Sequence, residues 1–150
     1  MSKVKVQQPV IHVPSFNRYQ ILRSEMVDKL AQVGVKPLCT DQPMDGWIYY
    51  TDMEGWNKIL YDLMFSSNLY KTDIFNCDKY ALKAYITCCE RYELNSLLLT
   101  IGDMSQGRHG WNIFYFGDGF LLWEPNDGFP FSGSAFEIGE FGYSPKLLLI

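Results

Sequence analysis

Apolar positions change their period past the middle of the chain. Up to about residue 92 they recur at helical spacing. Beyond it they run in short, nearly continuous blocks. Leu22, Met26, Leu30 and Val33 stand at i, i+4, i+8 and i+11 and predict a helix over 21–33, with Gly34 placed to cap it in the left-handed region. Trp56, Ile59, Leu60, Leu63 and Met64 make a second stripe and predict a helix over 52–67, whose start Thr51 or Asp52 can cap. Between them Pro37, Pro43 and Gly46 break any element, so 35–52 reads as a connection in which residues 47–50 are a short strand or a packed loop. Cys77, Ala81, Ala84 and Cys88 share one narrow, small-sided face of a third helix over 77–92, suited to close packing on a sheet. Asn76 is its expected N-cap.

The later blocks read as strands. Residues 96–101 are apolar and bounded by Gly102-Asp103, the pattern of a strand buried on both faces. A loop over 104–108 and a strand over 109–116 follow. Gly117-Asp118-Gly119 signals a tight hairpin turn, with φ > 0 expected at Gly119. The returning strand covers 119–124 and stops at Pro125, residues 136–142 are ambiguous, and 146–150 form a last buried strand. Pro9 and Pro14 keep residues 1–20 extended or irregular. Helices followed by antiparallel strands predict an α+β fold. The expected organisation is a single domain over 1–150, with an extended segment over 1–20 and a core over 21–150. Two N-terminal helices precede a third helix packed on an antiparallel sheet.

Composition narrows the function classes. Ten Phe, ten Tyr and four Trp are enough large rings for one core and its rim. The net charge is -4 and no basic run exists, so a nucleic-acid partner is not expected. No run of eighteen apolar residues occurs, so no membrane partner is expected either. The first residues lack the apolar stretch of a signal peptide, and a reduced, cytoplasmic setting with free thiols is the expectation. Cys39, Cys77, Cys88 and Cys89 show no C-x-x-C spacing, and His12 has no partner motif around it.

Three residues carry the chemistry. Cys77 begins a helix, where the helix dipole and unpaired N–H groups favour a thiolate. His109 opens a strand after Gly107-Arg108, and Glu124 ends the next one between Trp123 and Pro125. A hairpin centred on Asp118 sets Glu124 beside His109, near the same end of two paired strands. A thiol nucleophile, its general base and the group that orients the base need this set of residues. The expected function is therefore a cysteine-dependent hydrolase, a peptidase or amidase, working through Cys77, His109 and Glu124 and a thioester acyl-enzyme on a peptide or protein substrate. Asn112 lies on the opposite strand face and is given no role.

Cys77-Asp78, His109-Gly110-Trp111 and Glu124-Pro125, in that order, resemble the papain-like superfamily and especially its transglutaminase-like branch. The pairing of Cys77-Asp78 with a glutamate third member is similar to the proteolytic C-terminal domain of the fungal chimeric lectin from Marasmius oreades and its small bacterial and phage relatives. The likeness spans roughly residues 47–150. It departs at the third position, with Glu for Asp, and in lacking an upstream oxyanion glutamine. The resemblance implies a papain-like fold, and its phage relatives make a phage-encoded source an expectation. It also implies calcium dependence, for which Asp78 and Asn126 are the oxygen ligands beside the three residues. Two other functions stay open: a catalytically silent binding module of the same fold, associated with a virion or toxin, and a transglutaminase-like acyl transferase.

Overall fold

The computed structural model of the protein describes residues 12–38 and 45–149. The fold is mixed α+β, and short strands interrupt its N-terminal helices. Strand β1 (Tyr19–Leu22) pairs antiparallel with a later strand, β3 (Trp47–Tyr50), and sets buried Ile21 against buried Ile48. The first helix, α1, is therefore Arg23–Gln32, and the two residues expected to open it, Ile21 and Leu22, are extended. Pairing with β3 claims them, a tertiary contact that the 3.6-residue pattern cannot register. Gly34 takes φ 81, and the Val35 N–H donates to the Leu30 carbonyl at 3.0 Å, so the helix closes as expected.

Helix α2 (Met53–Ile59) is capped by Asp52, whose carboxylate accepts the Gly55 N–H at 2.9 Å. It tightens into a 3-10 turn at Leu60–Leu63 and ends short of residue 67. The reason lies far along the chain. The Phe65 N–H donates to the Pro125 carbonyl at 2.7 Å and the Phe65 carbonyl accepts from the Asp127 N–H at 3.0 Å, so Phe65 is tied to the loop over 125–127. Helix α3 (Cys77–Tyr92) matches its predicted bounds and closes on Glu93 in the left-handed region, φ 55. Asn76 occupies the N-cap position, but its side chain makes no capping bond.

The main sheet has the order β2-β7-β4-β5-β6, built from β2 (Lys36–Pro37), β4 (Leu97–Met104), β5 (Gly107–Tyr115), β6 (Phe120–Trp123) and β7 (Ser144–Leu149). All neighbours are antiparallel except the two-residue pairing of β2 with β7, which is parallel. The β4–β5 hairpin is longer than expected: Met104 pairs with Gly107, so most of the loop over 104–108 is strand. In the next hairpin Gly117, at φ 100, is the glycine in the left-handed region, not Gly119. Residues 136–142 hold one bridge, Phe136 to Leu122, and a 3-10 turn at Glu140–Gly142.

Both faces of the sheet are covered, which is why β4 and β5 read as nearly continuous apolar runs. On one face Leu98, Trp111, Ile113 and Tyr143 pack with Met26, Leu30 and Ile48. On the other, Leu97, Phe114 and Trp123 pack with Trp56, Leu63, Ala84 and Cys88 from α2 and α3. No described helix is long and apolar enough to cross a membrane.

Candidate active site

The small face of α3 lets the helix lie close on β5. Asn112, on that side of the strand, donates to the Ala81 carbonyl at 3.0 Å. Gly110 completes the approach: a Cβ there would stand 3.2 Å from the Asp78 Cα. This contact brings the first turn of α3, and with it Cys77, to the start of β5. There the Cys77 thiol is next to the His109 ring and the Gly110 N–H, and both lower it. Sequence reading gave Gly110 no function, since the need for close packing shows only when the helix is docked.

His109 is 8% exposed. Its Nε2 meets Glu124 Oε2 at 2.8 Å, leaving Nδ1 for the thiol. The hairpin register explains the contact. Asn112 pairs with Trp123, so Glu124 comes alongside Trp111, diagonal to His109 on the same face. Aromatic rings fix the imidazole: Trp111 stacks on it at 5.8 Å, Phe129 leans against it at 5.4 Å, and Tyr143 meets it edge-on at 5.6 Å.

Glu124 is 1% exposed and is held by three donors. His109 and the Tyr143 hydroxyl, at 2.8 Å each, share Oε2, while the Asn126 N–H reaches Oε1 at 3.1 Å. A buried carboxylate needs this degree of satisfaction. Tyr143 is a site residue that sequence reading missed. It lies nineteen positions from Glu124, on the approach to β7, and no local motif marks it.

The electrostatics set Cys77 apart from the other described cysteines. Its hydrogen bond to His109 lowers the thiol below its ordinary value, against opposing burial, and the Gly110 N–H adds to the effect. Burial pushes Cys88 well up, and burial also raises Cys89. Cys39 lies outside the described residues. For His109, burial alone would disfavour the charged ring. Hydrogen bonds to Cys77 and Glu124, and the charges of both, outweigh it and raise the imidazole to about 9. The pair is thus biased toward thiolate and imidazolium, the reactive form of a cysteine nucleophile. Tyr143 is also raised, by burial and then by the Glu124 charge, so it stays a hydroxyl donor.

Asp78 and Asn126, the expected calcium ligands, both stand beside the Cys77–His109 pair. Asp78 Oδ2 is paired with Lys79 at 2.8 Å, and Asn126 Oδ1 accepts the Gly128 N–H at 2.9 Å to close its own turn. Asp78 lines one and Asn126 the other of two clefts that share Cys77, Arg108 and His109. Asp78 Oδ1 and Asn76 Oδ1 are buried without a hydrogen bond among the described residues. Among the described residues no group of three or more His, Cys, Asp and Glu is placed to hold a metal.

No family model matches the chain, and no curated protein matches it either. Among solved structures, that of the PSL1a-E64 complex superposes with a TM-score of 0.63 at 17% identity, over 87% of this chain and 51% of that one. This chain therefore spans about half the length of that protein and shares its fold over the matched part.

Proposed function

We propose that the protein is a cysteine-dependent hydrolase of papain-like, transglutaminase-like architecture that cleaves peptide or amide bonds in peptide or protein substrates. What supports the reading is the succession Cys77, His109, Glu124: the thiol stands at a helix start and is lowered by His109, His109 meets Glu124 at 2.8 Å, and burial raises Cys88 and Cys89. The Cys77 thiolate attacks the substrate carbonyl carbon. A C–S bond forms and the carbonyl electron pair moves to oxygen. The Cys77 backbone N–H, in the first turn of α3 where no intrahelical acceptor exists, is placed to stabilise that oxyanion. As the C–N bond breaks, the His109 imidazolium gives its proton to the leaving amine. Water then attacks the thioester, His109 takes its proton, the C–S bond breaks and the acid is released with the thiolate restored. Glu124 holds the ring and its tautomer throughout.

The test is selective alkylation followed by mutation. Iodoacetamide near neutral pH should modify Cys77 far faster than Cys88 or Cys89, and Cys77→Ala should abolish turnover on a peptide library that the wild type cleaves. Equal, slow labelling of all the cysteines, or full activity in Cys77→Ala, would sink the proposal.

A further inference from the structure

Building on that reading, we infer that Arg108 selects substrates that carry a carboxylate next to the bond attacked by Cys77. Two clefts meet at the Cys77–His109 pair, and Arg108 lines both of them. One also holds Asp78 and Ile101; the other holds Tyr70, Gln106 and Phe129. A substrate chain that presents a carbonyl to the sulfur must pass this side chain on either course.

The local charges are already matched, except at Arg108. Its cross-strand partner is Asp103, but Lys146 takes that carboxylate. Asp78, in the cleft itself, is paired with Lys79. The Arg108 guanidinium has no hydrogen bond or ion pair with any described residue. The Glu124 carboxylate that opposes the imidazolium is 1% exposed and lines neither cleft. Arg108 is therefore the cation that the clefts present without a paired carboxylate among the described residues. A planar guanidinium takes a carboxylate through two parallel N–H bonds, which adds orientation to attraction. The carboxylate has two sources, an Asp or Glu side chain and a free peptide C-terminus.

Two measurements test this, and the first does not require turnover. Cys77 is alkylated with iodoacetate, which is anionic, and with iodoacetamide, which is neutral and similar in size. The iodoacetate-to-iodoacetamide rate ratio should fall about 2- to 5-fold in Arg108→Gln, the range of a single exposed ion pair, and persist in Arg108→Lys. The difference between wild type and Arg108→Gln should shrink at about 1 M salt. An unchanged ratio overturns the assignment of Arg108 while leaving the nucleophile intact. Failure of Cys77 to react with either reagent removes the thiolate reading and this inference with it. The second measurement compares kcat/KM for C-terminally amidated peptides differing by Gln→Glu near the cleaved bond, and for peptides differing in a free or amidated C-terminus. A preference for the acidic member that Arg108→Gln abolishes identifies the source of the carboxylate. Equal preferences in wild type and Arg108→Gln in both pairs overturn the inference.

Discussion

Glu124→Gln isolates the charge of the third residue with almost no change of shape. The wild-type carboxylate accepts from His109 and Tyr143 on Oε2 and from the Asn126 N–H on Oε1. An amide has one accepting oxygen. With that oxygen facing His109 and Tyr143, its NH₂ confronts the Asn126 N–H, and a buried donor goes unpaired at a cost of about 1–3 kcal/mol. The electrostatic loss is separate. Raising the imidazole from 6.5 to about 9 corresponds to about 3 kcal/mol in favour of the charged ring. Cys77 and Glu124 both hold the ring charged against burial, so removing the Glu124 charge lowers the imidazole. The expected loss in kcat/KM is on the order of 10-fold, and an amide nitrogen turned toward the ring, holding the wrong tautomer, extends it toward about 10⁴-fold. The assay is kcat/KM against pH, with iodoacetamide labelling of Cys77 over the same range and a urea unfolding curve. The wild-type imidazolium is lost as pH rises through about 9, so its alkaline limb should fall there, and in the variant that limb should move to lower pH. A Glu124→Gln protein with wild-type activity and an unmoved alkaline limb would refute the assignment of Glu124 as the partner of His109.

Other outcomes follow from the same geometry. Tyr143→Phe removes one donor from the buried carboxylate and should cost about 1.5–3 kcal/mol in denaturant unfolding, with a smaller loss of activity than Glu124→Gln; unchanged stability would show the bond to be dispensable. Gly117→Val should destabilise, because φ is 100 there, whereas Gly119→Ala meets only ordinary contact with the Phe116 ring and should leave the melting temperature nearly unchanged; the reverse order would mean the turn is built differently. Calcium titrated calorimetrically to millimolar levels should give heat that Asp78→Ala removes if Asp78 and Asn126 are ligands; no heat from the wild type would remove that expectation.

Elements whose cause is local are legible along the chain. The period of Cys77, Ala81, Ala84 and Cys88 marks α3 residue for residue, because a helix declares itself in its own buried face. The hairpin signal around Asp118 brought Glu124 beside His109, since a short connection fixes the register of its two strands. Tertiary structure decided what depends on distant partners. Residues 21 and 22 are strand because β3 pairs with them, and α2 stops early because Phe65 bonds to Pro125 and Asp127. Gly110 and Tyr143 entered the site only when α3 docked on β5 and the approach to β7 crossed beside it. Their contacts span distances along the chain that no periodicity encodes. Local pattern fixes which face of an element is buried. Only the packing of one element on another fixes which side chains meet.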